Sequence, residues 1–174
     1  MTAEPAALIG FSNANDDLAA AAKQVVAGIS WPGKPVPPVV TQTRTAEQQA
    51  RYNTGQGLYA TMCVGCHMDQ GQGSDHVGAP LAGSRFVNGQ TGTLVRIMTG
   101  GKEGPYGLMP PLGARMTDDQ LAAVLTYIRG SFGNRGTPVQ PAEVKETRLM
   151  YSYRKTPWTE AELSAGRGGR GGGQ

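Results

Sequence analysis

Cys63, Cys66 and His67 stand together in the run C-V-G-C-H, and their types and spacing allow one specific chemistry. On a helix the two thiols lie at i and i+3 and the imidazole at i+4, so all three project from nearly one face. Thiols placed in this way can add to the two vinyl groups of a single haem, while the adjacent imidazole reaches the iron as proximal ligand. The chain holds two cysteines and two histidines in all. A disulfide between Cys63 and Cys66 would close a very short loop and leave neither thiol for haem. A zinc site would need two more ligands, and a tetrahedron built on adjacent Cys66 and His67 would be strained. A thioredoxin-like redox pair follows a strand, whereas residues 45–62 have the pattern of a helix.

That helix must carry the motif. Thr45 and Gln48 are spaced as a capping box at its start. Gly55 and Gly57 each cost roughly 1 kcal/mol relative to alanine inside a helix, so they predict the close approach of another element. Tyr59, one turn after Gly55, completes the contact face. Residues 68–89 read as a glycine-rich loop with A-P-L-A-G-S at 79–84. A helix is predicted over 93–99, with Leu94, Ile97 and Met98 on its apolar side and Gly100 and Gly101 ending it. Residues 104–113, G-P-Y-G-L-M-P-P-L-G, read as a rigid apolar loop. Thr117 and Gln120 form a second capping box, with Asp118 and Asp119 in the first turn and Leu121, Val124, Leu125 and Ile128 as the buried stripe of the helix that follows.

Outside this stretch, residues 15–28 read as an alanine-rich helix started by Asp16 and Asp17. The run W-P-G-K-P-V-P-P at 31–38 reads as an extended linker or a strap on a surface. Residues 141–153 predict a helix with Pro141 in its first turn, and Thr159 with Glu162 caps a short last one. The predicted organisation is therefore 1–40, an N-terminal helix and Pro-rich linker that could end an upstream domain; 41–134, a haem-binding domain; and 135–174, a helical extension with a Gly/Arg-rich tail.

Composition agrees with one ordinary domain plus appendages: 39% of the 174 residues are hydrophobic and 17% charged. Twenty-six glycines and twelve prolines predict a loop-rich fold with a thin apolar core, to which a buried cofactor would add structure. No apolar run approaches the roughly 18 residues that a membrane span needs. The opening M-T-A-E-P-A-A-L-I-G-F has neither the basic nor the apolar region of a signal peptide. Haem attachment to C-x-x-C-H proteins takes place outside the cytoplasm, so the expected location is periplasmic or otherwise extracytoplasmic, with a signal removed or the chain cut from a longer one. The net charge is +3. Acids and bases cancel over 1–62 and again over 63–133, so residues 134–174 supply all of it, and a nucleic-acid partner is not expected. The end R-G-G-R-G-G-G fits a disordered terminus better than an RNA-binding tail.

C-V-G-C-H, then Gly-Ala-Pro-Leu at 78–81, then L-M-P-P-L at 108–112 and T-D-D-Q-L-A-A-V-L-T-Y-I-R at 117–129, resemble the class I c-type cytochromes over residues 45–133. The resemblance implies a small all-α fold around one covalent haem c, in which the first and last helices cross with a glycine and an aromatic residue one turn apart. Gly55 and Tyr59 match those positions, with Leu125 or Tyr127 as partner. It also implies His67 as proximal and Met109 as distal ligand, Pro80 as the residue whose carbonyl takes the proximal imidazole's proton, and Leu81 beside it at the haem. Arg85, Tyr106, Asn88 and Arg96 are candidates for the haem propionates, with no means of choosing among them. On residue grounds alone, Met109 lies in a loop stiffened by Pro110 and Pro111, which can hold a thioether in one place. Met116, His76 and an open position stay as alternatives.

Residues 125–134 with 141–148 resemble more narrowly the cytochrome subunits or domains that serve periplasmic dehydrogenases, often quinoprotein ones. The implied role is a one-electron carrier rather than an enzyme, taking electrons from a dehydrogenase and passing them to another cytochrome or a terminal oxidase. A peroxidase-like or gas-sensing domain with an open distal site is the rival. A third reading gives the ends of the chain an assembly role, with haem only structural.

Overall fold

Two capping boxes set the ends of the two helices on which the domain rests. The computed structural model describes residues 44–165; the helix expected over 15–28, the Pro-rich stretch 31–38 and the Gly/Arg-rich end lie outside the described residues. Helix α1, Ala46–Met62, starts where the Thr45 hydroxyl accepts the Gln48 N–H at 3.2 Å and the Gln48 side chain accepts the Thr45 N–H at 2.9 Å. A single turn, α2, Val64–His67, follows directly. Helix α3, Thr91–Gly100, begins two residues earlier than the sequence predicts and stops at Gly101, whose φ of 78° suits glycine. Helix α4, Asp118–Arg129, carries the same reciprocal cap between Thr117 and Gln120.

Helices α1 and α4 cross at Gly55. A Cβ there would stand 2.0 Å from the Ala123 carbonyl oxygen and 2.9 Å from the Tyr127 Cβ, so only a hydrogen fits. The partners are Ala123 and Tyr127; Leu125, the other expected partner, is buried in the apolar core. Tyr59 meets Tyr127 with ring centroids 5.3 Å apart, and Phe132 completes the group at 5.2 Å from Tyr59. Gly57 does not share this role. It is exposed with nothing near its missing Cβ, because two residues turn it about 200° round the helix from Gly55.

Six helices make up about half of the described residues, and one small sheet accompanies them. Residues 104–113 were expected as a loop, but strands β1, Lys102–Gly104, and β2, Gly107–Met109, form an antiparallel hairpin. Pro105 and Tyr106 make its turn, and Gly107 closes it at a φ of 92°. Strands of three residues are too short for an alternating pattern to register. A 3-10 turn, Leu112–Arg115, leads on to α4.

The described part of the C-terminal extension is built onto this frame. Helix α5, Pro141–Met150, packs on α3 and α4 with Val144 fully buried, as is Val139 in the segment before it. Arg148 donates to the carbonyls of Gly113 and Met116 at 2.6 and 2.8 Å and pairs with Asp118 at 3.0 Å. Helix α6, Glu160–Ala165, is capped by Thr159 and Glu162 as predicted, and its Leu163 joins Ile97 and Trp158 in a second apolar cluster. Among the described residues no helix is long and apolar enough to cross a membrane.

Candidate functional site

The C-V-G-C-H turn is held from both ends. The Cys63 N–H bonds to the Tyr59 carbonyl at 2.9 Å, continuing the α1 ladder, and the Cys63 carbonyl accepts the N–H groups of Cys66 and His67 at 3.2 and 2.9 Å. The three functional residues thus occupy one helical turn, as their spacing requires. Cys63 and His67 are buried and Cys66 is exposed, and both thiols are free. Burial, with Cys66 adding to it, pushes the Cys63 thiol up to about 11. Before attachment it therefore carries its proton at neutral pH.

His67 Nδ1 lies 2.7 Å from the Ala79 carbonyl oxygen. That contact makes Nδ1 the protonated nitrogen and leaves the Nε2 lone pair for a metal. Burial lowers the imidazole pKa from its ordinary value of 6.5, against the opposing pull of the Ala79 carbonyl, and so favours the neutral ring that coordination needs. The acceptor is Ala79 and not Pro80, as had been expected. Proline restricts the residue before it to extended backbone, and it is that residue's carbonyl which faces the ring.

A tight loop clasps the turn. A Cβ on Gly78 would fall 2.4 Å from the Cys66 carbonyl oxygen, and one on Gly73 would fall 2.5 Å from the Gly78 oxygen. The N–H of Gly73 bonds to the His67 carbonyl at 3.1 Å, Leu81 bonds back to Gly71 at 2.7 Å, and the Tyr59 hydroxyl donates to Met68. Asn134 holds the far side of this loop. Its amide nitrogen donates to the carbonyls of Leu81 and Ile128 at 3.0 and 3.1 Å, and its oxygen accepts from Gly83 and Asn88 at 3.0 and 2.8 Å. Buried Arg129 does the same for the next segment, donating to Val87 and Gly89 at 2.8 Å each.

Two adjoining cavities lie under this loop. The larger, about 350 Å³, has an apolar wall that includes Pro80, Leu81, Phe86, Val87, Leu94 and Ile97, with Arg85, Lys102, Tyr106 and Glu160 at its polar edge. The smaller, about 70 Å³, is lined by residues that include Cys66, His67, Leu108, Met109 and Pro110. They share Ala79, Lys102 and Tyr106. Cys66, His67, Met109, Pro80, Leu81, Arg85 and Tyr106 therefore all line this pair of cavities, whereas Cys63 lines neither and is buried in the main apolar core. Met116 lies in the main apolar core at 5% exposure and lines neither cavity, and His76 is exposed in the loop.

Two of the polar candidates point elsewhere. Arg96 is buried between the rings of Tyr151 and Trp158, its guanidinium 5.1 and 5.0 Å from their centroids. Asn88 is bonded to Ser84, Asn134 and Arg135. Three residues at the site carried no signal in the sequence. Ala79 acts through its backbone, Lys102 arrives by hairpin pairing with Met109, and Glu160 comes from 75 residues beyond Arg85, with which it forms an ion pair.

The residues fit a covalently held haem. There are two free thiols on one turn, an imidazole with Nδ1 engaged and Nε2 left as donor, an apolar slot, a thioether on the same wall and two cations at the edge. Comparison with known proteins agrees. Residues 50–128 match the family model for cytochrome c oxidase, cbb3-type, subunit III. The chain is 34% identical over 93 residues to the gluconate 2-dehydrogenase cytochrome c subunit of Pantoea cypripedii, covering 47% of this chain and 20% of that protein. It is 32% identical over 81 residues to the cbb3-type cytochrome c oxidase subunit CcoP of Cereibacter sphaeroides, covering 45% and 27%. It is 25% identical over 139 residues to the fructose dehydrogenase cytochrome subunit of Gluconobacter japonicus, covering 72% and 29%. The chain thus spans less than a third of the length of these relatives. Motif, cavity and relatives converge: residues 50–128 carry a c-type cytochrome domain, with haem c as its covalently bound cofactor.

Proposed function

We propose that this domain relays single electrons outside the cytoplasm, from a dehydrogenase to another cytochrome or a terminal oxidase, with His67 and Met109 as the two ligands to the haem iron. The observation that carries the reading is the smaller cavity, whose wall includes both His67 and Met109. Haem c supplies one-electron chemistry at its iron, and a thioether opposite an imidazole favours the ferrous form and raises the potential. The protein's own residues do the rest. Cys63 and Cys66 tether the group, the Ala79 carbonyl orients the imidazole, and Leu81, Phe86, Val87, Leu94 and Ile97 keep water out. Arg85, Lys102 and Tyr106, at the polar edge of the larger cavity, would supply cations and a hydroxyl to the propionates.

The partner classes rest on the relatives. Two are cytochrome subunits of sugar or sugar-acid dehydrogenases and one is a subunit of an oxidase. Exposed Val77 and Leu108, beside the smaller cavity, offer an uncharged contact of the modest size that transient redox encounters use. We assign the haem domain to 41–134 and treat 135–174 as an extension whose described part braces it.

Visible spectroscopy tests the ligand pair. The oxidised protein is expected to carry a sulfur-to-iron charge-transfer band that is lost in Met109→Ala and kept in Met116→Ala. A high-spin spectrum that changes at once on adding carbon monoxide or cyanide would overturn the reading in favour of an open, catalytic or sensing site.

A further inference from the structure

The hairpin that bears Met109 is only three residues to a strand, and a two-stranded ribbon of that size is marginal by itself in water. Its outer edge is paired by the C-terminal extension. Trp158 forms a parallel bridge with Lys102. Its N–H donates to the Gly101 carbonyl at 3.0 Å, and its own carbonyl accepts the Glu103 N–H at 2.9 Å. Lys102 is therefore paired with Met109 on one side and with Trp158 on the other.

The indole is fixed in turn. It is buried, with the Arg154 guanidinium 4.1 Å from its ring, Arg96 at 5.0 Å and Tyr151 edge-on at 5.4 Å. With Ile97 and Leu163 it forms a small apolar cluster, and the Met109 side chain packs against that cluster. Its Nε1 closes against the end of α3, where a Cβ on Gly100 would come within 2.8 Å. The ribbon backbone is thus seated on the tryptophan, and the Met109 side chain on the cluster to which the tryptophan belongs.

We propose that Trp158 is a positioning residue for the sulfur ligand, so that the extension outside the haem-binding stretch controls how firmly Met109 stays on the iron. A ribbon freed from Trp158 would sample states in which the thioether is withdrawn, and the population of those states sets how fast an external ligand enters. The inference rests on Met109 being the sixth ligand, and the test separates the two.

The full, haem-loaded chain is compared with Trp158→Ala, Trp158→Phe, Gly100→Ala and Met109→Ala. Covalent haem content and far-ultraviolet circular dichroism serve as controls for folding. Trp158→Ala is expected to weaken the sulfur-to-iron band, to move the midpoint potential downward toward that of Met109→Ala, and to bind cyanide about tenfold faster than the parent. Phenylalanine, which adds a packed ring to the backbone bridges that either residue can make, should restore most of the band. Gly100→Ala should shift all three readouts in the alanine variant's direction by displacing the indole, and it decides the matter if Trp158→Ala does not retain haem. Should Met109→Ala keep the band, the ligand assignment fails and the inference with it. Should Met109→Ala lose the band while the Trp158 and Gly100 variants keep band, potential and cyanide rate unchanged, the inference alone is overturned.

Discussion

At the scale of single residues, side chains that do chemistry were legible and those that hold backbone were not. Cys63, Cys66 and His67 declare themselves because a thioether-linked haem needs their types and spacing, whereas for Met109, the proposed sulfur ligand, the residues offer only two prolines that stiffen its loop. Asn134 gives no such sign, since any of the chain's asparagines could sit in a turn. Yet its one amide satisfies two carbonyls and an N–H and takes a further bond from Asn88. Replacing it by alanine removes one partner from the buried Ile128 carbonyl and the Asn134 partner from the partly exposed Leu81 carbonyl and Gly83 N–H, at about 0.5–1.5 kcal/mol for each bond lost. Urea denaturation of the haem-loaded Asn134→Ala chain is expected to show a loss of about 2–4 kcal/mol. A value near zero would mean that the wall at Leu81 does not depend on this amide. The proximal acceptor was missed by one position for the same reason: Ala79 acts through its carbonyl, which every residue possesses.

At the scale of elements, helices were readable and the hairpin was not. Capping boxes at Thr45 and Thr117 placed the starts of α1 and α4 correctly because the reciprocal bonds are local in sequence. Strands β1 and β2 are held by one another and by Trp158, so nothing within residues 102–109 specifies them alone. The two α1 glycines make the point sharply. Sequence treated Gly55 and Gly57 alike, whereas the fold uses only the first for close approach. Gly55→Ala is expected to force α1 and α4 apart, at about 3 kcal/mol or more because carbonyl and Cβ atoms cannot yield cheaply, and to lower haem incorporation during expression. Gly57→Ala, on the solvent side, should stabilise the same protein by up to about 1 kcal/mol. Equal melting temperatures for the two variants would contradict the crossing described here.

At the scale of the whole molecule, the C-terminal extension changes meaning. Its basic residues, which supply the net charge of +3, suggested a separate tail. Among those the structure describes, Arg148 and Arg154 are consumed internally, by Asp118 with two carbonyls and by Glu162. Arg154, together with the backbone and hydroxyl of Thr159, holds the Glu162 carboxyl down to about 2 from an ordinary 4.5. The folded value is the lower one, so this attachment is complete above pH 4.5 and is lost as pH falls from 4.5 toward 2. Hydrogen exchange at the Trp158 and Leu163 amides, corrected for intrinsic rates, should lose protection across that window, and Glu162→Gln should be less protected at neutral pH and flat within it. The crossing of α1 and α4 has a different consequence, in time rather than in space. Gly55 meets Ala123 and Tyr127 across about seventy residues of chain, a closure that costs about 4 kcal/mol in chain entropy before any contact repays it. Until that closure is made the C-V-G-C-H turn lacks its supporting helix, and Cys63, sealed in the finished fold, stays open to whatever attaches the haem.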